Sequence, residues 1–194
     1  TPLIGLHNTY NVVGALSALY ALGYDLTRAV SYVAQFKGVP GRLQSVPNAK
    51  NIYAFVDYAH TPEALEKVLR SLKSYTSEKQ KLICVFGCGG DRDKGKRPLM
   101  GQAAEKHSHS MIVTSDNPRG EDPSAIINDI VLGLDSGGKH IVEVDRALAI
   151  RKAVEMAAPG DVILVAGKGH EDYQIIGDNK IHFSDFEQLQ VELC

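Results

Sequence analysis

Met111-Ile112-Val113-Thr114-Ser115-Asp116-Asn117-Pro118-Arg119-Gly120-Glu121-Asp122-Pro123 passes from an apolar run, through a stiff polar turn, into a helix start. The run Met111 to Val113 reads as a buried strand. Asp122-Pro123 offers an N-cap carboxylate and a proline at the first helical position. Between them, Pro118 lacks an N–H, fixes its own φ and restricts Asn117, so the turn is rigid. Asp116, Asn117 and Arg119 place a carboxylate, an amide and a planar five-donor fork on one short loop. A ligand that carries both an ammonium and a carboxylate, as an amino acid does, finds partners for both there. Taken by themselves the same residues also read as a surface turn with an Asx cap.

The strand-loop-helix unit repeats on both sides. Upstream, Ile52 to Val56 is a strand, and Thr61-Pro62-Glu63 opens a helix with Leu65, Val68, Leu69 and Leu72 on one face. Leu82 to Phe86 is the next strand, followed by a glycine-rich loop and a helix from about Pro98 to Lys106. Downstream come a helix with Ile126, Ile127, Ile130, Val131 and Leu134, a weaker strand Ile141 to Val144, a helix capped by Asp145, and the strand Val162 to Ala166. Two β-rich stretches about Gly177-Asp178-Asn179 read as an edge hairpin. Continuous apolar strands alternating with helices predict an α/β fold, a mostly parallel sheet with helices on both faces and a C-terminal edge hairpin. Ahead of it, Asn8 to Leu22 and Leu26 to Phe36 have helical spacing, and Gly38 to Arg42 breaks it. Two helices cannot bury a core alone, so residues 1–44 read as the end of an incomplete preceding domain and 45–194 as a whole one.

In such sheets ligands bind beyond the carboxyl ends of the strands. The loops there are Asp57 to Thr61, Gly87 to Lys94, Ser115 to Arg119 and Gly167 to Glu171, which bring Asp57, His60, Arg92, Asp116, Asn117, Arg119, Lys168 and Glu171 towards a common cleft. Gly90-x-x-x-x-Gly95-Lys96 nearly matches a phosphate-binding loop, but Arg97 stands where a magnesium-binding hydroxyl is needed and the loop interior carries Asp91 and Asp93. It is rejected as a nucleotide cradle.

Composition narrows the function classes. A net charge of −2 offers no basic field for nucleic acid or acidic membrane, and no apolar run approaches the ~18 residues that span a bilayer. The three cysteines form no framework, which points to a reduced, cytoplasmic setting. The seven histidines form no metal pattern, and His107 and His109 at a helix end read as solvated. The chain starts at Thr1 and enters a helix almost at once, as an excised piece of something longer would.

Taken jointly, several stretches resemble the Mur ligases, most closely the branch that adds the third residue of the peptidoglycan stem peptide. They are Asn8-Thr9-Tyr10-Asn11, Gly41-Arg42, Asp57-Tyr58-Ala59-His60-Thr61-Pro62, Gly87 through Pro98, the Asp116 turn, and Gly167-Lys168-Gly169-His170-Glu171-Asp172-Tyr173. The resemblance implies a Rossmann-like C-terminal domain preceded by the last helices of a central ATPase domain. It implies ATP-driven amide formation with Mg²⁺, acting on a UDP-N-acetylmuramoyl dipeptide and meso-diaminopimelate, in a monomer with no nucleic-acid or membrane partner. By the match, Asn8, Asn11, Arg42, Asp57, His60 and Thr61 would contact nucleotide, while Arg92, Asp116, Asn117, Pro118, Arg119, Gly167 and Glu171 would bind the amino acid. Within that set Arg119 would grip the distal carboxylate, Asn117 would add a hydrogen bond and Glu171 would balance the distal ammonium. The phosphate loop, metal ligands and sugar site implied by the family are absent from these residues, so the resemblance implies no catalytic group here and no activity for the piece alone. A lysine-adding Mur ligase, a folylpolyglutamate-type ligase and a stand-alone amino-acid or nucleotide binding module are the competing readings.

Overall fold

The computed structural model describes residues 3–135 and 140–194. Its central strand is β6 (Val162–Ala166), five apolar residues that are all buried. On one side β6 pairs in parallel with β2 (Tyr53–Asp57), on the other with β3 (Leu82–Phe86). β4 (Ser110–Val113) and β5 (His140–Val142) extend the parallel sheet beyond β3, and a short antiparallel strand, β1 (Gln44–Val46), closes the opposite edge. The order β1-β2-β6-β3-β4-β5 is the mostly parallel sheet predicted.

Side chains alternate across this sheet, and each face has its own apolar layer. Phe55, Cys84, Phe86 and Leu164 pack against Leu65, Leu69 and Leu72 of α3 (Pro62–Lys73), Met100 of α4 (Lys96–His107) and Ile126, Ile127 and Ile130 of α5 (Pro123–Val131). Val56, Val85, Ile112 and Val165 meet Ala149, Ile150 and Ala153 of α6 (Arg146–Met156) and Leu189 and Leu193 of α7 (Asp185–Leu193). The expected caps form: Thr61 accepts from Ala64 N, Asp122 from Ser124 N, and Asp145 from Ala147 N and Leu148 N. Ahead of the sheet, α1 (Leu6–Ala21) and α2 (Leu26–Gln35) pack on each other, and large apolar side chains such as Tyr10, Tyr20, Val30 and Phe36 remain exposed.

Besides the edge strand β1, which the sequence reading lacks, three features depart from it. β7 (Tyr173–Ile176) and β8 (Asn179–His182) do form an antiparallel hairpin, but it is a sheet of its own and not an edge of the large one. It attaches through a parallel bridge from Ile176 to Arg119, so it serves the loop after β4. Helix α7 was not foreseen, although Ser184 followed by Glu187 is a capping-box spacing and Ser184 accepts from Glu187 N. Nor are His107 and His109 merely solvated: His107 Nε2 lies 3.0 Å from Glu66 Oε1, and His109 Nδ1 accepts from Leu82 N at 2.8 Å.

Leu164 is fully buried at the centre of one layer. Leu164→Ala is expected to lower the unfolding free energy by about 3 kcal/mol, read as a shifted denaturation midpoint at unchanged slope. Val191→Ala on the exposed face of α7 is expected to change it by less than about 0.5 kcal/mol.

Candidate functional site

The loops after β2, β3, β4 and β6 enclose a cleft of about 480 Å³. Its floor is set where the loops after β3 and β4 cross. Gly90 N donates to Asn117 O at 2.9 Å, and a Cβ on Gly90 would lie 1.8 Å from Pro118 O, so only glycine permits the crossing. Pro118 is buried in that crossing and shapes the loop; it does not line the cleft as the sequence reading had it. Beyond it Arg119 adopts φ 52, in the left-handed region. The strain of order 1–3 kcal/mol that such a residue carries is offset by the hairpin, since Arg119 N donates to Ile175 O at 3.1 Å and Arg119 O accepts from Gly177 N at 2.8 Å. Arg119 Nη1 donates to Gly90 O at 2.9 Å, and among the described residues its Nε and Nη2 have no protein partner.

Asn117 is the most heavily bonded of the group. Its Oδ1 accepts from Ile175 N at 3.0 Å and from Lys168 Nζ at 3.3 Å, and its Nδ2 donates to Glu171 Oε2 at 2.9 Å. One amide hydrogen remains free among the described residues, so Asn117 holds Glu171 in place and keeps one donor for the hydrogen bond the sequence reading gave it. Lys168, wholly buried, also donates to Glu171 Oε2 at 3.3 Å. Glu171 Oε1 has no protein partner among the described residues.

Asp116 lines the same cleft. It is 8% exposed, and among the described residues its carboxylate accepts no hydrogen bond. Burial pushes its carboxyl above the usual carboxylate range, against the opposing pull of Arg146 and Lys168. Gly167, at φ 116, lets the chain pass close by, for a Cβ there would lie 2.7 Å from Asp116 Oδ2. Arg92 is exposed at the rim, its Nη1 donating to Asp91 O at 2.9 Å.

On the β2 side His60 and Thr61 line the cleft, and Lys96 Nζ bridges to His60 O at 2.9 Å. Asp57 does not face the cleft. It is buried, its Oδ2 accepting from Leu43 N at 2.7 Å and its Oδ1 from Ala59 N at 2.9 Å, so it fixes the turn that carries Arg42. Asp57, expected from sequence to contact nucleotide, lines neither hollow. Among the described residues Arg42 pairs with no acid; its guanidinium lies 5.3 Å from the centre of the Tyr58 ring. With Asn8 and Asn11 it borders a second, mainly apolar groove of about 440 Å³ between α1 and α2. The thirteen residues singled out from sequence are therefore divided between two hollows and the backbone turns that hold them. Sequence reasoning placed Lys168 near the cleft without a role and missed Lys96 and Tyr58.

The model of the family described as "Mur ligase, glutamate ligase domain" matches residues 41–169. The chain belongs to the Mur ligase family. It is 49% identical over 195 residues to the UDP-N-acetylmuramoyl-L-alanyl-D-glutamate--2,6-diaminopimelate ligase of Synechococcus elongatus, covering 100% of this chain and 39% of that protein. A solved structure of an enzyme with the same name superimposes with a TM-score of 0.79 at 44% identity, covering 100% of this chain and 39% of the other. The folylpolyglutamate synthase of Thermotoga maritima, at 24% identity and a TM-score of 0.63 over 84% of this chain and 36% of that one, shares the fold. The chain thus spans about two fifths of the length of the curated relatives it matches.

Within this Mur ligase domain the near phosphate loop is filled by its own acids. Asp93 Oδ1 accepts from Gly95 N and Asp91 Oδ2 from Gly120 N, so carboxylates stand where a phosphate would collect N–H groups. Arg97 is buried and donates to Glu121 and Asp129. That hydrogen bond, with another from Asp91 N, holds the Glu121 carboxyl down to about 2 from 4.5. A depressed carboxyl stabilises the fold above its unfolded value and loses that contribution as pH falls through the folded one. Glu121→Gln is therefore expected to lower Tm at pH 7, with the gap to wild type closing between pH 4.5 and about 2. A gap constant over that range in a calorimetric series would assign the effect to packing.

Proposed function

We propose that this chain is the amino-acid-binding, C-terminal part of an ATP-dependent amide ligase that joins meso-diaminopimelate to UDP-N-acetylmuramoyl-L-alanyl-D-glutamate in the cytoplasm. The observation that carries the reading is the charge pattern of the cleft. Among the described residues, a buried Asp116 carboxylate without a protein partner, an Arg119 guanidinium with one open edge and a Glu171 oxygen left unbonded line one hollow. Buried groups in that state call for a ligand of the opposite charges, and a zwitterionic head group supplies them. The relative from Synechococcus elongatus, whose name specifies 2,6-diaminopimelate, supports this choice.

In this reading Arg119 and the remaining Asn117 hydrogen take the distal carboxylate, Asp116 and Glu171 face the distal ammonium, and Arg92 closes the rim. Anchoring the far end leaves the near amine to be presented at the mouth of the cleft, where orientation does most of the work. Lysine, which has an ammonium and no carboxylate at that end, would leave the open edge of Arg119 without an anion. A folylpolyglutamate-type ligase shares the fold, but only at 24% identity. A stand-alone binding module is the reading least supported, given the relatives' greater length.

We assign α1 and α2 to the end of the central ATP-binding domain; the amino-acid-binding domain starts before residue 45, the boundary of the sequence reading, because Leu43 lies in one apolar layer and β1 begins at Gln44. The groove bordered by Asn8, Asn11 and Arg42, with polar tips over an apolar floor, fits a nucleobase, and His60 and Thr61, which line the neighbouring cleft, are proposed to meet the nucleotide from that side. ATP bound there supplies the phosphoryl group that activates the acceptor carboxylate. In this reading Mg²⁺, like the phosphates of ATP, is held mainly by the central domain; among the described residues no group of three or more His, Cys, Asp or Glu could hold a metal ion. No helix of the described residues is long and apolar enough to cross a membrane.

In the full-length polypeptide, Arg119→Ala is expected to raise KM for meso-diaminopimelate about 100-fold while KM for ATP changes less than about twofold. Lysine should be a poor substrate for wild type. Equal use of lysine, or unchanged diaminopimelate kinetics in Arg119→Ala, would overturn the assignment.

A further inference from the structure

Arg146 and Asp185 form an ion pair with both side chains wholly excluded from solvent, and neither lines the cleft. Arg146 Nε donates to Asp185 Oδ1 at 2.7 Å and Nη2 to Asp185 Oδ2 at 2.8 Å. The rest of the fork turns to the sheet: Nη1 donates to Ser115 O at 3.2 Å and Nη2 to Ala166 O at 3.0 Å. Those carbonyls belong to the residues immediately before Asp116 and Gly167. They stand beyond or at the ends of β4 and β6, which are separated by β3 and share no ladder. A single planar group thus spans a strand and ties together the two loops whose contact, Asp116 beside Gly167, shapes the cleft.

We propose that Arg146 is a positioning residue of the cleft, a cross-brace that sets Asp116 relative to Gly167 while Asp185, on the last helix, fixes and neutralises it. The inference rests on the amino-acid reading of the cleft only for its effect on binding. A buried ion pair is a poor source of net stability, since well-packed apolar groups serve as well or better, whereas a guanidinium with several fixed acceptors is well suited to holding backbone in register. Placement adds an electrostatic role. The charged and titratable groups that face Asp116 are Arg146 on α6, Asp185 on α7, Lys168 and Glu171 in the loop after β6, and Cys88 in the loop after β3. Arg119 and Arg92 share its cleft. Arg146 favours the Asp116 carboxylate and Asp185 opposes it.

The test is a carboxyl-detected NMR titration of Asp116 in residues 1–194, with thermal unfolding to confirm that each variant folds. Diaminopimelate kinetics are measured in the full-length polypeptide. Asp185→Asn should move the Asp116 midpoint down and Arg146→Gln should move it up. A variant that merely loosened the structure would not produce opposite signs. Arg146→Lys keeps the charge but loses the fork, so its midpoint should stay near that of wild type while kcat/KM for meso-diaminopimelate falls about tenfold or more, mostly through KM. If Arg146→Gln does not fold, Asp185→Asn and Arg146→Lys decide. Midpoints that shift together or not at all, or an Arg146→Lys enzyme with wild-type kinetics, would overturn the proposal. If wild type does not use diaminopimelate, the function proposed above fails, and opposed titration shifts would still support the brace.

Discussion

Parallel pairing of β6 with β2 and with β3 sets Ala166 level with Asp57 on one side and Phe86 on the other. Every loop of the cleft leaves the sheet from that common height, so the site rests on backbone ladders sealed between two apolar layers. A slip of one residue along β6 would exchange Leu164 and Val165 between the layers and displace Gly167 from Asp116. The apolar interior and the polar rim are in this sense one design, because the buried side chains that fix the register also fix where the loops begin.

The polar groups beneath the cleft follow a second pattern. Arg97, Arg146 and Lys168 are almost completely buried, and each meets at least one carboxylate: Glu121 and Asp129, Asp185, and Glu171 respectively. Removing cations from water costs several kcal/mol each unless they are matched, so such groups are rarely kept for stability. All three touch loops at the carboxyl end of the sheet. What they secure is the relative placement of chain segments far apart in sequence, which apolar contacts alone specify loosely.

Much of this was legible in the sequence. Strands β3 and β6 stand out as unbroken apolar runs, α3 and α5 announce themselves with a cap followed by proline, and the convergence of four polar loops follows from parallel topology. What was not legible is how polar side chains divide their bonds. Asn117 reads as an amide open on both sides until Ile175 N, 58 positions away, is found on its Oδ1. Asp57 reads as a cleft carboxylate until Leu43 N and Ala59 N claim both oxygens. The hairpin reads as a sheet edge because turn chemistry specifies a hairpin but not its neighbour. Each miss concerns a partner chosen by tertiary distance, about which local pattern is silent. Helix α7 differs, since the Ser184 and Glu187 spacing was present to be read.

The bond pattern between Arg119 and the β7–β8 hairpin couples two segments far apart in the chain. Because Ile175 and Gly177 hold the unusual backbone of Arg119, that residue of the cleft and the hairpin behind it form one mechanical unit, although more than fifty positions of chain lie between them. Recombination that exchanged the turn after β4 and left the hairpin behind would join halves fitted to different backbones. A change of backbone in either segment is therefore felt in the other, with the sheet between them left as it was.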